Sequence, residues 1–315
     1  MSHCRTTLQE LGEDALVEYY IQCGIKTHKK SGDSQNLFGK NSWVITGVGD
    51  DSAVLRTHRE NTLQLLKVDA VVENVHFKPQ APPHLIGWKA LARTVSDIAA
   101  MGGLPISALI ALGTPPDTNF QKVKKIFEGI CRCARKFGIS LVGGDTTAAP
   151  VLFLTVTLSG LVERNKITLR SGAREGDAIM VTGTLGGSLQ KKHLRFIPRI
   201  TEARWLVENF KPTAMMDISD GLAKDLTRLA AANQMHAHVD LNAIPASPGC
   251  TLQQALEEGE DYELLFTIPQ SKVKALQSKW PFRLPLTKIG FLSKKATTTK
   301  IGNGFDHFLQ SRRNA

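Results

Sequence analysis

The chain has 315 residues, 42% of them hydrophobic, which suits one large domain or two with separate cores. Its 39 Lys+Arg outweigh 29 Asp+Glu to give +10, but the basic residues form only small knots at Lys122–Lys125, Lys191–Lys192 and Lys294–Lys295, with no aromatic-interleaved stripe. Such a surface is expected to draw in phosphorylated small molecules rather than nucleic acid.

No apolar run reaches the roughly 18 residues that a membrane span needs. Residues 1–18 carry acids and no apolar core, so no secretory signal is expected. Cys4, Cys23, Cys131, Cys133 and Cys250 are odd in number and scattered, as free thiols in a reducing cytoplasm would be.

Leu11 to Cys23 reads as a short helix and Lys26 to Lys40 as a polar loop. Trp43 to Ile45 is a predicted strand running into Gly47-Val48-Gly49-Asp50-Asp51, which is either a hairpin turn or a phosphate- or metal-binding turn. A strand over Leu63–Val68 delivers Asp69, with Glu73 and His76 close behind. Pro83 to Met101 has the strongest helical pattern, its buried stripe marked by Leu91, Val95 and Ile98. Lys89, Arg93 and Asp97 recur every four residues on another face, as an exposed ion-pair ladder or as charges aimed at one pocket. A strand at Ile106–Leu112 and a helix at Asn119–Lys136 follow. A short strand at Ile139–Val142 then meets a glycine turn, Gly143-Gly144-Asp145-Thr146-Thr147.

Leu152 to Val162 alternates as a half-buried strand does, and the charged segment 164–177 marks a crossing between domains 1–163 and 164–315. Beyond it come a strand at Ala178–Thr182, a glycine-rich turn at 183–187 and a helix at Thr201–Phe210. Met216-Asp217-Ile218-Ser219-Asp220-Gly221-Leu222 reads as strand, acidic turn and helix start, where free backbone N–H groups favour anions. A simple helix cap by Ser219 or Asp220 is the alternative. A helix at Leu222–Asn233, a strand at His238–Leu241 and a helix at Gln253–Glu258 precede Gly259-Glu260-Asp261-Tyr262-Glu263, whose acids need positive partners before the strand Leu264–Ile268. Helices and strands mix throughout, so the class is α/β or α+β.

The acids Asp51, Asp69, Asp97, Asp145, Asp217 and Asp220 sit mostly at strand ends or beside glycines. Hard cations such as Mg2+ take oxygen ligands and accept phosphate as a co-ligand, which is what phosphoryl transfer between two polyanions requires. No nucleophile elbow, zinc spacing or Cys/His pair is present, and no covalent nucleophile is expected.

Nine stretches carry a resemblance when taken in order. They are Gly47–Asp51, Val68-Asp69 with His76, Ser96–Gly102, Gly143–Thr147, Arg170–Gly172, Val181–Thr184, Asp217–Leu222, Gly259–Leu264 and Phe305-Asp306-His307-Phe308. Together they resemble the thiamine-monophosphate kinase family nearly end to end. The resemblance implies a two-domain fold like that of aminoimidazole-ribonucleotide synthetase, with N-terminal domains pairing through a β-barrel in a homodimer. It implies transfer of the γ-phosphoryl group of ATP to thiamine monophosphate. On the same basis, Asp51, Asp69, Asp97, Asp145, Asp217 and Asp220 are expected to hold Mg2+. Gly144, Asp145, Arg170 and Ser219 are expected to contact ATP, and His76, Glu260 and Phe305 thiamine monophosphate.

Some positions depart from the family pattern. Lys67 and Val68 stand where hydroxyl residues commonly precede the acid, Glu258 replaces a glycine, and Phe196-Ile197-Pro198-Arg199 lacks a proline ahead of Pro198. Two rivals stay open at this point: another ATP-using enzyme of the superfamily, and a non-catalytic basic binding protein on the same scaffold.

Overall fold

The computed structural model describes residues 7, 10, 13–19, 43–190, 192–296, 301–302 and 304–305. The predicted loop Lys26–Lys40 and the end Asp306-His307-Phe308 lie outside them, as do Cys4 and Cys23. Residues 13–19 are helical, inside the segment predicted as a helix, and Cys131, Cys133 and Cys250 are free thiols. No described helix is long and apolar enough to cross a membrane.

Two sheets organise a mixed α/β fold. The first has six strands: β1 (Val44–Thr46), β2 (Ala53–Arg56), β3 (Thr62–Val72), β4 (Leu104–Thr114), β5 (Ser140–Ala148) and β6 (Phe153–Glu163). They lie in the order β1-β2-β3-β6-β4-β5, and among the described residues the sheet stays open. β3 and β6 pair antiparallel from Thr62↔Glu163 to Val72↔Phe153. The alternation predicted for β6 is realised, with Leu154, Val156, Leu158 and Val162 buried on one face.

β4 and β5 are parallel, so the chain must cross over between them, and α2 (Phe120–Phe137) does so. The strand β5 also continues through the glycines where a turn is expected, with a register shift at Val142. Its ladder with β4 continues to Thr114↔Ala148, and a side chain at Gly144 would stand 1.8 Å from the Ile110 carbonyl oxygen. Those glycines therefore allow a close strand approach.

The second sheet is antiparallel throughout, in the order β8-β10-β7-β11-β9. Its strands are β7 (Ala178–Thr182), β8 (Ala214–Asp217), β9 (His236–Val239), β10 (Leu264–Ile268) and β11 (Leu286–Ser293). β7, β8 and β10 are buried at every position, because helices cover both faces. α4 (Leu222–Ala232) and α5 (Leu252–Glu257) close one side; α3 (Ile200–Asn209) and α6 (Val273–Lys279) close the other. The strand expected at His238–Leu241 starts and stops two residues earlier. The Asp240 side chain accepts from Asn242 N–H and turns Leu241–Ala243 into a 3-10 segment.

Helix α1 (Pro83–Ala100) joins the two halves. Proline at its first position costs no hydrogen bond, and thirteen of its residues are buried, from Ile86 to Ala100. Leu91, Val95 and Ile98 enter the core beneath the first sheet, whereas Ala99 and Ala100 pack with the core of the second. Where α1 meets α2, a side chain at Gly87 would stand 1.9 Å from the Ile126 carbonyl oxygen, and one at Gly129 equally close to that of His84. Gly87→Ala is therefore expected to force the helices apart and destabilise the protein by about 2–3 kcal/mol. Equilibrium urea denaturation measures this, and an unchanged midpoint would show that the crossing is not tightly packed.

Candidate active site

Oxygen atoms of Asp51, Asp97 and Asp217 lie within 4.8 Å of one another, and all three residues are buried. They come from distant places: the β1–β2 connection, the last turn of α1 and the end of β8. Lys67 and Asp69, two apart on β3, face the same way. The Lys67 Nζ sits 2.9 Å from Asp97 Oδ1 and 3.7 Å from Asp69 Oδ1. Arg170 donates to Asp51 Oδ1 at 2.6 Å, and Ser96 Oγ donates to Asp217 Oδ2 at 2.5 Å. Asp51 Oδ2 is buried without a hydrogen-bond partner. An acceptor orphaned in that way beside two further carboxylates suits a hard divalent cation.

The electrostatics agree. Burial, and then the charge of Asp51, pushes Asp217 up to about 7. Burial lifts Asp97 well above the ordinary carboxylate range, against the pull of Lys67. Asp69 moves the other way: Lys67 and Arg93 outweigh its desolvation and hold it low. Facing Lys67, Arg93 and Arg170, the four carboxylates of Asp51, Asp69, Asp97 and Asp217 retain an excess of negative charge that takes up either a proton or metal.

A second cluster surrounds Glu260, whose backbone adopts a left-handed φ of 65°. Lys89 is completely buried, and its Nζ reaches Glu260 Oε1 at 2.6 Å, the His76 carbonyl oxygen at 2.6 Å and His193 Nδ1 at 2.8 Å. His193 Nδ1 is also 2.8 Å from Glu260 Oε2. One ring nitrogen cannot accept from Lys89 and donate to Glu260 at once, so the three groups compete for a proton. Burial lowers Lys89 to about 8, although Glu260 opposes it. Burial alone would raise Glu260, but the hydrogen bond from His193 and the charges of Lys89 and Arg93 prevail and hold it at about 2. Its acidic neighbours are partnered elsewhere. Asp261 accepts from Gly186 N–H and Ser188 Oγ, and Glu263 forms a two-point pair with Arg199.

Lys89, Arg93 and Asp97 thus form no exposed ladder; all three point into these clusters. The turn after β8 also departs from expectation. Gly221, with φ 98°, occupies the cap position of α4, and neither Ser219 nor Asp220 caps it. Their N–H groups are already taken by Asp225 Oδ2 at 2.9 Å each, so this turn does not offer them to an anion. Asp220 itself pairs with Arg228 at 2.6 Å and lies 3.5 Å from Lys224, outside the Asp51–Asp97–Asp217 group. Phe305 is held beside it, its N–H donating to the Asp220 carbonyl oxygen.

His76 Nδ1 accepts from Val72 N–H. Gly144 and Asp145 lie on the exposed edge strand β5, where Asp145 faces Ala111, which faces Thr155, which faces Ala70. Three strand spacings, roughly 14 Å, separate Asp145 from the neighbour of Asp69. A single chain therefore does not bring Asp145 to the buried carboxylates.

Residues 49–162 match the family of AIR synthase related proteins, N-terminal domain. Over 286 residues the chain is 35% identical to the thiamine-monophosphate kinase of Rhodopirellula baltica, covering 83% of this chain and 90% of that one. It is 34% identical over 291 residues to that of Bacillus subtilis, covering 82% and 89%. The chain belongs to the thiamine-monophosphate kinase family. The solved structure of AaThiL complexed with AMPPCP and TMP superposes with a TM-score of 0.79 at 29% identity, over 96% of this chain and 99% of that one.

Within this thiamine-monophosphate kinase fold, the sequence did not point to His193 or Asp225. His193 stands in a three-residue 3-10 segment that has no periodicity to flag it. The carboxyl of Asp225 looks like an ordinary first-turn acid until the chain folds back over it.

The Glu260 cluster leads to a test. Lys89→Met leaves a buried carboxylate short of its partner and is expected to cost about 3 kcal/mol, most of it recovered in the Lys89→Met/Glu260→Gln double variant. Because Glu260 is held below its ordinary 4.5 at about 2, its stabilisation is complete above pH 4.5 and lost as pH falls to about 2. Glu260→Gln removes that share of the acid slope. Urea melts across this pH range decide, and identical slopes in the parent chain and Glu260→Gln would refute the pairing.

Proposed function

We propose that this chain transfers the γ-phosphoryl group of ATP directly to the phosphate of thiamine monophosphate, giving thiamine diphosphate and ADP. An acceptor phosphate oxygen forms the new P–O bond as the bond between the γ-phosphorus and the β–γ bridging oxygen breaks, and no side chain is phosphorylated on the way. The observation that carries the reading is the convergence of Asp51, Asp97 and Asp217, with one carboxylate oxygen orphaned in a buried place.

These three residues, with Asp69 behind them, would hold Mg2+. The ion, when bound, would neutralise charge on the two phosphate-bearing substrates and hold them in register. Asp220 and Asp145 belong to the same reading as ligands nearer the polyphosphate. Arg170, which pairs with Asp51, and Ser219 are the ATP contacts in this reading, together with Gly144 and Asp145 on the exposed strand β5. Phe305 supplies a ring face for the thiamine moiety, and Glu260 a carboxylate to answer its positive charge. His76 completes that side through its neighbour Lys89.

The fold leaves an apolar face on the first sheet uncovered. Leu66, Val68, Ile106, Leu109 and Val142 are exposed there, with Val142 at 60% and Val68 at 57%. A second copy packed on this face, closing a barrel between the two N-terminal units, would cover it and deliver Asp145 to a shared cleft. We take 1–163 as the metal-binding and pairing unit, 164–315 as its companion, and the cytoplasm as the compartment, in keeping with the free thiols.

Incubation with ATP, Mg2+ and thiamine monophosphate, followed by mass spectrometry, is expected to show thiamine diphosphate and an equal amount of ADP. Omitting thiamine monophosphate should abolish ADP formation. Asp217→Asn is expected to lower turnover by about 100-fold or more. ADP release that ignores thiamine monophosphate but responds to another phosphorylated metabolite would overturn the substrate assignment.

A further inference from the structure

The carboxylate cluster contains a cation of its own. Lys67 points inward from β3, between the core residue Leu65 and Asp69. Its ammonium group sits 2.9 Å from Asp97 and 3.7 Å from Asp69, and Asp51 adds a further attraction. The neighbouring Val68 faces the opposite, exposed side and adds no side-chain oxygen. A hydroxyl brings a neutral oxygen, which can ligate a cation. A lysine brings no ligand atom but a full positive charge.

We propose that Lys67 is a built-in counter-cation that occupies the place of one divalent ion between Asp69 and Asp97, so that this chain binds one divalent ion fewer than it would with a hydroxyl residue at that position. The reading deepens the one above and rests on Asp51, Asp97 and Asp217 holding metal.

Three features support it. An ammonium hydrogen-bonded to a carboxylate occupies the space that a cation bridging Asp69 and Asp97 needs. The carboxylates at 51, 69, 97 and 217 already face Lys67, Arg93 and Arg170, which leaves less unbalanced charge for added ions than an all-acid site would. The orphaned acceptor belongs to Asp51, on the part of the cluster that Lys67 does not hydrogen-bond, so the remaining ion is expected there.

The test counts bound Mn2+ on the full chain by electron paramagnetic resonance, with and without a non-hydrolysable ATP analogue, and follows thermal unfolding over a Mn2+ titration. Lys67→Ser is expected to bind one more Mn2+ than the parent chain. Lys67→Met, which removes the charge without adding a ligand, is expected to bind the remaining Mn2+ about tenfold tighter or more. It should also melt lower than the parent without metal and gain more from metal. Lys67→Arg, which keeps the charge, should match the parent count. If the Ser and Met variants show the parent's stoichiometry and affinity, the inference falls. The same holds if they lose only nucleotide or thiamine monophosphate affinity, since Lys67 then serves a phosphate. A parent chain that binds no Mn2+ at all would instead remove the metal reading underneath.

Discussion

Burial of helix α1 between the two sheets is the constraint on which the rest depends. A helix covered along most of its length has no face left for solvated charge, yet it carries Lys89, Arg93 and Asp97. Each ion taken out of water costs several kcal/mol unless a partner is supplied. The two halves of the chain supply those partners. Lys67 and Asp69 come from the first sheet, and Glu260 comes from the second half. The requirement to neutralise one helix therefore places the acidic and basic groups of both halves next to each other.

This arrangement separates two chemistries along one helix. Near its C-terminal end, the carboxylates outnumber the charges that face them, and Asp97 and Asp217 are driven toward the protonated form. Nearer its N-terminal end, the balance reverses: Lys89 with His193 outweighs the burial of Glu260 and keeps it ionised. The first environment suits a divalent cation and polyphosphate, and the second suits a single well-held carboxylate. Eight residues on one helix, about 12 Å of rise, set the distance between Lys89 and Asp97.

Backbone strain lies at the second of these places. Glu260 and Tyr262 have φ values of 65° and 52°, in the left-handed region that residues with side chains rarely enter. The segment is fixed from several directions: Glu260 by Lys89, Asp261 by the 186–188 turn, Glu263 by Arg199 and Thr182, and Tyr262 by stacking on Phe196 at 3.8 Å between ring centroids. Four acids and aromatics in a row thus face four different partners, which a run of regular strand would not allow.

Several features were legible from local pattern. The alternation of β6, the amphipathic stripe of α2 and the strand–turn–helix around Asp217 each follow from periodicity, which one element expresses by itself. The clustering of acids beside glycines marked Asp51 and Asp217 in the same way, and helical spacing put Asp97 on one face with Lys89 and Arg93. Other features depended on partners far away in the chain. β2, β11 and α6 lack a strong pattern of their own and are defined by what they pair with or cover. The glycines of β5 looked like a turn because nothing local reveals a neighbouring strand. Lys89 could be read as a rung of a surface ladder or as a charge aimed at a pocket, and nothing local singled out His193 or Asp225. The sequence by itself determined the elements and the kind of chemistry, because hydrophobic period and residue type are local. Only tertiary structure decided which charges are buried and which group neutralises each, because desolvation and ion pairing depend on groups brought together from across the chain.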